Sequence, residues 1–335
     1  MKRKFLILLT TCILISVSIL GCSSIKIQTA KDTRGTNVKV GYMPNYGSLW
    51  SILNAIELGY MRDANILVEL IEFRDGPSII NALENGDIDI GYIGQGAHKN
   101  CINGYTKIFA LSHISNADAI IAAPGINSMQ DLKGKMVTYV EGTSSEVILN
   151  MALKKENMNM YDIIGVKALP EDIVLSIKDS GVSAAAIWSP YSLEILDEIE
   201  GSKKLVDNFT FSDETIGLSS WVTSEKFIEL NHGLLVRFTK ALFKAMDYAA
   251  NDHYEETSTL IANQINSNQE NIYKQRGDAM WLTGREIVSG IEDGTIRDYY
   301  ELQKKGFMET DMIYSDKNVE DYVMFDIMLE AGNYK

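Results

Sequence analysis

Cysteine is scarce in this chain of 335 residues, which contains three. Cys12 and Cys22 belong to the N-terminal apolar segment, so Cys101 is the one thiol of the remaining sequence. A single thiol excludes an intramolecular disulfide, and we expect Cys101 to be a buried structural residue rather than a reactive one. The fold must therefore be stabilised by its hydrophobic core.

Positive charge is also in short supply. The chain has 31 Lys and Arg residues against 45 Asp and Glu residues, which gives a formal net charge of -14. Removal of the N-terminal segment, with its basic residues 2–4, would leave the rest still more acidic. This charge excludes nucleic acid as a partner, because phosphates select basic surfaces. It also disfavours electrostatic adhesion to anionic lipid.

The familiar catalytic motifs are missing. The sequence has no phosphate-binding loop of the Walker type, no H-E-x-x-H zinc motif, no G-x-S-x-G nucleophile motif and no paired C-x-x-C. The glycine pair of Gly94–Gly96 is not followed by a third glycine, so it does not indicate a dinucleotide site. The four histidines are far apart in the chain: His98, His113, His232 and His253. We therefore expect no metal, no cofactor and a binding protein rather than an enzyme.

One long apolar run is present, at the N-terminus. Basic residues 2–4 precede the apolar stretch Phe5–Leu20, and a small residue stands before Cys22. This is the pattern of an export signal, and the run is short for a permanent membrane span. Ile19–Cys22 resembles a bacterial lipobox, in which the cysteine is acylated and becomes the mature N-terminus. We expect residues 1–21 to be a signal peptide, with an uncleaved membrane anchor as the alternative.

The expected location follows from this signal. With Cys22 acylated, we expect the rest of the chain to work on the extracytoplasmic face of the cell membrane, at the surface of a Gram-positive cell. Residues 22–36 are polar and aperiodic, which suits a flexible tether.

Strand and helix patterns alternate from Asn37 onward. Apolar runs predict strands, and amphipathic segments between them predict helices. This alternation is typical of a parallel sheet with helical crossovers. The predicted strands are Val38–Tyr42, Leu67–Phe73, Ile88–Ile93, Lys107–Ser112, Ala119–Ala123, Met136–Val140, Ile164–Leu169 and Ala184–Trp188. A similar order of strand, loop and helix occurs in both halves, which predicts an α/β fold with two similar lobes. From Thr223 the pattern is mostly helical, and no strand is expected after Ala250.

Loops that follow the predicted strands form the candidate binding site, because ligands of open α/β sheets bind outside the carboxyl ends of the strands. The candidate residues are Asn45, Tyr46, Gly47, Gly94, Gln95, Thr143, Ser144, Ser145, Glu146, Trp188, Tyr191 and Trp221. The hydroxyl residues Thr143–Ser145 open a helix whose N–H groups suit a carboxylate or sulfonate, or they simply cap it. Glu146 could pair with an ammonium group, or it could complement the helix dipole.

Aromatic residues cluster near the same strand ends, and we expect some of their rings to sandwich a flat or apolar ligand. They are Tyr42, Tyr46, Trp50, Tyr92, Tyr139, Trp188, Tyr191 and Trp221.

Four segments in order resemble a known family: Val38–Pro44, Ala82–Gly91, Asp131–Lys135 and Gly142–Ser145. They are similar to the nitrate/sulfonate/taurine-type solute-binding proteins of ABC importers, a family that also includes binders of thiamine pyrimidines. The resemblance spans Val38 to Tyr191. It implies a type II periplasmic-binding fold, in which two lobes close by a hinge on a small molecule held between them.

The resemblance also implies how the chain is divided. We expect it to cross between the lobes near Ala122 and near Thr223. The first lobe is then residues 37–121 plus 224–335, and the second lobe is residues 122–223. The implied partners are a small-molecule ligand and an ABC permease in the membrane, and we expect the protein itself to be a monomer.

Departures from the family pattern bear on the ligand. Sulfonate binders of the family often carry a histidine after the hydroxyl loop, where this chain has Glu146, and Ser183 stands where the second lobe usually has an Asp. No arginine lies in the predicted second-lobe loops. We therefore favour an amino-acid-like zwitterion, possibly aromatic, with a sulfonate or taurine, or a thiamine precursor, as alternatives. A surface adhesin is the alternative class of function.

Overall fold

The computed structural model describes residues 35–178, 181–313 and 315–333. The predicted signal peptide, Cys22 and nearly all of the tether lie outside the described residues, so those predictions stay predictions. Within the described ranges, no helix is both long enough and apolar enough to cross a membrane.

Strands are found in both halves of the chain. In the described residues they are β1 (Thr36–Tyr42), β2 (Ile66–Glu72), β3 (Ile90–Ile93), β4 (Lys107–Ser115), β5 (Asp118–Ala122), β6 (Met136–Tyr139), β7 (Ile164–Lys167), β8 (Val182–Trp188), β9 (Lys203–Asp207), β10 (Leu218–Thr223) and β11 (Ala279–Trp281). The expectation that no strand follows Ala250 is wrong, because the three residues of β11 add an edge to the first sheet. Three residues are too few for a periodic pattern to show.

Helices connect the strands and cover the sheets. They are α1 (Tyr46–Glu57), α2 (Tyr60–Asp63), α3 (Gly76–Asn85), α4 (His98–Ile102), α5 (Ser144–Lys155), α6 (Pro170–Lys178), α7 (Tyr191–Glu198), α8 (Glu225–Ala249), α9 (Tyr254–Ile265), α10 (Gln269–Lys274), α11 (Gly284–Glu292), α12 (Thr295–Glu309) and α13 (Phe325–Ala331). Short 3-10 turns lie at Gln95–Ala97, Met129–Leu132, Met160–Asp162, Asn208–Phe211, Gln275–Asp278 and Val319–Asp321.

Two sheets of similar construction confirm the predicted two-lobed α/β fold. The first has the order β11-β4-β10-β3-β1-β2, and the second has the order β7-β6-β8-β5-β9. In each sheet three neighbouring strands are parallel, and strands that return from the other lobe pair antiparallel beside them. We call the first sheet with its helices the first lobe, and the second sheet with its helices the second lobe.

The crossings between the lobes lie earlier than the sequence predicted. β5 pairs with β8 and β9 in the second sheet, and β10 pairs with β3 and β4 in the first. The chain therefore crosses at residues 116–117 and again within residues 208–217, not near Ala122 and Thr223. The reason is that β5 and β10 are fully buried strands, each inserted between two others of the lobe that the chain has just entered.

Local capping explains where the helices begin. The Asn45 side chain accepts a hydrogen bond from the backbone N of Ser48 at 2.9 Å and so caps α1. Ser48 Oγ accepts from the backbone N of Met43 at 3.0 Å, which closes the loop after β1. Asp75 caps α3 in the same way, and Gly86 ends that helix with a φ of 76°.

Cys101 is buried, as expected. Burial raises the pKa of its thiol to about 12, although a hydrogen bond with Thr106 opposes the shift. The thiolate is the reactive form of cysteine, so Cys101 is an inert part of the core.

Candidate functional site

A cleft lies where the carboxyl ends of parallel strands from both lobes face each other. Its walls come from the loops after β1, β3, β6 and β8, together with the crossing segments and the residues just before β11. The space in this cleft that is open to the centre of a water molecule has a volume of about 70 Å³. One water needs roughly 10–15 Å³ by that measure, so the cleft has room for a small solute.

The lining contains seven of the twelve ligand-binding residues that the sequence predicts. They are Asn45, Gly47, Gly94, Gln95, Thr143, Ser144 and Trp188. Contact of these residues with a ligand stays a prediction; what the structure adds is that they share one cavity.

Three of the other predicted residues have their side chains engaged in the protein. Tyr46 is buried with its ring 4.9 Å from that of Trp281, so it supports the wall of the cleft from behind. Trp221 is buried between the rings of Tyr92 and Phe238. Tyr191 packs edge-on against Trp188 at 6.2 Å.

Ser145 and Glu146 shape the loop before α5 and do not line the cleft. Ser145 Oγ donates to the carbonyl of Ala186 at 2.6 Å and accepts from the backbone N of Val140, so it ties β6 to β8. Glu146 accepts a hydrogen bond from the backbone N of Gly142 at 2.8 Å. This contact at the start of α5 favours a structural role for Glu146, as a complement to the helix dipole, over a role as partner of a ligand ammonium.

Aromatic side chains from both lobes form the apolar part of the lining. Trp188 comes from the second lobe, and Tyr92 and Trp281 come from the first. The Trp281 ring is held in place, because its Nε1 donates to the carbonyl of Arg276 at 2.7 Å and its ring lies 4.9 Å from that of Trp50. These rings offer flat surfaces on opposite sides of the cavity.

His113 is a neutral member of the lining. Its Nε2 lies 3.3 Å from Tyr92 Oη, and its Nδ1 lies 3.0 Å from Ser112 Oγ. Complete burial lowers the pKa of the imidazole to about 3. His113 therefore supplies no positive charge at neutral pH, and both of its ring nitrogens already face protein hydroxyl groups.

Two carboxyl groups stand at one end of the cleft. Asp118 begins β5 and is 3% exposed, and its Oδ1 has no hydrogen-bond partner. Burial raises the pKa of Asp118 to about 6, against the opposing effect of Ser144 and Asn208. Asp278 precedes β11, and its buried Oδ2 is also without a partner. Burial raises the pKa of Asp278 to about 6 as well; Ser189 and Lys204 oppose the shift, and the nearby charge of Asp118 adds to it.

The electrostatic character of the cleft follows from its lining. The described residues that line it include these two carboxyl groups and neither a lysine nor an arginine. With His113 neutral, no charged side chain in the lining offsets the carboxylates, and only the start of α5 at Ser144 brings a positive dipole end to the cleft. The cleft is negative, which favours a positively charged group and disfavours a simple anion.

Several lining residues were missed by the sequence reasoning. Asp118, His113, Gln275, Asp278 and Trp281 lie on antiparallel strands, on the first crossing or beside β11. The rule that ligands bind at the carboxyl ends of parallel strands does not predict binding residues at such positions. The predicted aromatic cluster included Tyr92 of the lining but none of these five residues.

The two lobes touch each other across the cleft. A Cβ atom added to Gly96 would lie 2.0 Å from the backbone carbon of Thr143 and 2.2 Å from the nitrogen of Ser144. Lys99, two positions after the same 3-10 turn, lies 3.7 Å from Glu146 of the other lobe. The structure is thus a closed form, and a residue without a side chain is required at position 96.

Comparisons with known proteins agree with this architecture. A family model described as "NMT1/THI5 like" matches residues 48–256. A protein of Brucella abortus whose name describes a binding protein is 27% identical over 289 residues, which are 86% of this chain and 90% of the relative. The crystal structure of the periplasmic aliphatic sulphonate binding protein of Escherichia coli has a TM-score of 0.67 at 20% identity, covering 86% of this chain and 92% of that one.

The same fold also occurs in an enzyme. The crystal structure of a desulfurization enzyme, DSZB, has a TM-score of 0.64 at 13% identity and covers 89% of this chain and 99% of that one. Identities this low show the fold alone, so the chemistry must be argued from the cleft.

Replacement of Gly96 tests the contact between the lobes. We expect the Gly96→Ala protein to have a larger radius of gyration in solution X-ray scattering than the wild type, because the added Cβ would collide with backbone atoms of the second lobe. Gly94→Ala is the matched control, since a Cβ there meets no atom within 4 Å. Equal radii for all three proteins would contradict a contact this tight.

Replacement of Asp118 tests the cost of its burial. Its pKa is raised in the folded state from 3.8 to about 6, so the ionised form is destabilising above the unfolded-state pKa. Asp118→Asn should increase the free energy of unfolding of the solute-free protein at pH 7.5, by on the order of 2 kcal/mol. The difference should disappear near pH 4, where the carboxyl group of the folded wild type is protonated.

Denaturant unfolding after refolding from guanidinium, which removes any bound solute, is the measurement. Asp172→Asn, at an exposed position of α6, is the control and should change stability by less than about 0.5 kcal/mol. An Asp118→Asn protein that is less stable than the wild type at pH 7.5 would show that the carboxylate has a stabilising partner.

Proposed function

Because the chain belongs to the NMT1/THI5-like family, whose model matches residues 48–256, we propose that it is the solute-binding receptor of an ABC importer. It captures a small organic molecule between its lobes and presents the closed form to a membrane permease. Closure is favoured because contacts from both lobes are available to the ligand only when the lobes meet.

The main observation that supports this proposal is a small cavity whose walls come from both lobes. Trp188 of the second lobe and Tyr92 and Trp281 of the first supply apolar surface. Polar side chains, hydroxyl groups and the start of α5 supply orienting contacts. Such a combination of apolar walls with a few placed polar groups is typical of small-molecule sites.

The ligand that suits the cleft is an amino-acid-like zwitterion, with an aromatic or otherwise apolar part. The first turn of α5 begins at Ser144 in the lining, and its positive dipole end favours a carboxylate. The carboxyl groups of Asp118 and Asp278 favour a positive group. A site that presents both preferences within one small cavity is suited to a molecule with both charges.

An amino-substituted heterocycle, such as a thiamine precursor, is the second candidate. Its ring could stack on the tryptophans, and its N–H groups could donate to the carboxylates. A simple alkanesulfonate is less well supported, since the lining provides no lysine or arginine to neutralise it; taurine, which also carries an ammonium group, stays an alternative.

We propose further that the receptor is anchored by lipid on Cys22 and acts as a monomer on the outer face of the cell membrane. The basis is the lipobox-like end of the apolar segment, Ile19–Cys22, followed by a polar stretch. A receptor that meets its permease repeatedly gains effective concentration from such a tether.

A ligand panel tests the proposed function. We expect at least one aromatic amino acid or aminopyrimidine to raise the melting temperature of residues 23–335, since a ligand at 100 times its Kd stabilises by about 2.7 kcal/mol. The panel should include taurine and alkanesulfonates. Trp188→Ala should abolish the shift while the protein remains folded by circular dichroism.

Tyr161→Ala is the matched control for the loss of an aromatic ring, because Tyr161 is 100% exposed and outside the cleft. It should retain the full shift. If no compound raises the melting temperature, or if the Trp188→Ala protein responds like the wild type, the cleft is not the receptor site.

The anchor has its own test. Full-length protein expressed in a bacterium that processes lipoproteins should incorporate labelled palmitate and partition into the detergent phase. Cys22→Ser should incorporate none. Cys101→Ser, which removes the buried thiol, should be labelled like the wild type. Label retained in the Cys22→Ser protein would refute this attachment site.

A further inference from the structure

The two carboxyl groups of the cleft come from different lobes. Asp118 is the first residue of β5 in the second lobe, and Asp278 ends the 3-10 turn before β11 in the first. The first crossing joins them, since the backbone N of Asn116 donates to the carbonyl of Asp278 at 2.6 Å. A group bound between the two side chains would therefore contact both lobes at the hinge.

Both carboxyl groups have hydrogen-bonding capacity that the protein leaves unused. Asp118 Oδ1 and Asp278 Oδ2 are buried without a partner, and Ser189, whose hydroxyl lowers the pKa of Asp278, also lines the cleft. Buried polar atoms are nearly always satisfied in folded proteins, and an unpaired buried charge is costly. Two unsatisfied carboxylate oxygens in one cavity indicate a donor group supplied from outside.

The charged groups around the pair do not neutralise it. His113 of β4 is neutral, and Lys204 of β9 forms an ion pair with Asp207 at 3.1 Å. Lys274 pairs with Asp197 at 2.7 Å. Arg276, in the same turn as Asp278, lies over the ring of Tyr273 at 4.0 Å.

From this arrangement we propose that Asp118 and Asp278 form a subsite for a positively charged nitrogen of the solute, an ammonium or amidinium group. The inference rests on the proposed receptor function and specifies its ligand. The N–H donors of the cation satisfy the two free carboxylate oxygens, and the hydroxyl of Ser189 completes the site. Tyr92, Trp188 and Trp281 line the same cavity, so their rings add apolar contact for the rest of the solute.

This subsite also makes closure depend on the charge of the solute. With the cleft empty, closure brings two carboxylates toward each other in a dry cavity. The repulsion between their charges opposes closure. A cation between them removes the repulsion and attracts both lobes, so it stabilises the closed form selectively. An anion of the same shape has no such effect.

Charge-matched compounds test the subsite. Phenethylamine and phenylalanine are compared with 3-phenylpropanoate, and benzamidine is compared with its uncharged isostere benzamide, by calorimetry and thermal shift. We expect the cations and the zwitterion to bind, and the analogues without a positive charge to bind at least about 10-fold more weakly.

Variants assign the effect to the two residues. Asp118→Asn and Asp278→Asn should each weaken the binding of phenethylamine or benzamidine by roughly 30-fold or more, because a buried charge partner is lost. Asp172→Asn should leave the affinity unchanged. The affinity of the wild type for these amines should also fall as the pH is lowered from 7.5 to 5, since burial places the pKa of both carboxyl groups at about 6.

Three results would overturn the subsite. The first is that amines stabilise the wild type no more than a protein with both Asp118→Asn and Asp278→Asn. The second is that acids bind as tightly as amines, and the third is a response to Ca²⁺ alone. The receptor function would survive the first two if a sulfonate, carboxylate or neutral heterocycle still binds and Trp188→Ala abolishes that binding. If no compound of any charge binds, both proposals fall.

Discussion

One side-chain amide, that of Asn208, connects the parts of the molecule that must act together. Asn208 lies at the start of the second crossing, where its Oδ1 accepts from the backbone N of Asp118, just after the first crossing. Its Nδ2 donates to Gln95 Oε1 at 3.1 Å, at the edge of the cleft in the first lobe. The neighbouring backbone N of Phe209 donates to the Asn116 side chain at 2.9 Å. The hinge and the cleft are therefore one hydrogen-bonded unit, and a ligand that contacts Asp118 acts directly on the segments about which the lobes move.

The position of the cleft is a property of the fold, but its charge is a property of individual residues. Parallel strands of two similar sheets direct their carboxyl ends toward each other, and this fold is shared with solved structures of as little as 12% identity. Asp118 and Asp278 stand on the antiparallel additions to that frame. Substitution at such positions can change the ligand class without disturbing the sheets. A relative whose name refers to sulphonate can thus share this fold with a protein whose cleft is negative.

The sequence predicted the parallel part of the structure well, for a physical reason. Residues such as Gly94 and Trp188 directly follow buried strands, whose apolar runs are visible without any knowledge of tertiary pairing. Asp118 and Asp278 gave no such signal, because their importance comes from burial that is created by strands distant in the chain. Trp281 lies in a strand of three residues, too short for a pattern. The crossing points were misplaced for the same reason, since β5 and β10 reveal their lobe only through their partners.

The burial of Asp118 has a consequence for the empty receptor. A pKa raised from 3.8 to about 6 corresponds to about 3 kcal/mol of unfavourable free energy for the ionised group at neutral pH. That cost applies to the closed cleft, and any access of water to the carboxylate on opening of the lobes would relieve part of it. A difference of 3 kcal/mol shifts a two-state equilibrium by about a hundredfold, so even a fraction of it biases the empty protein toward open forms. A permease that engages the closed form would then meet empty receptors less often than loaded ones, and the carboxylates of the cleft would help to couple transport to cargo.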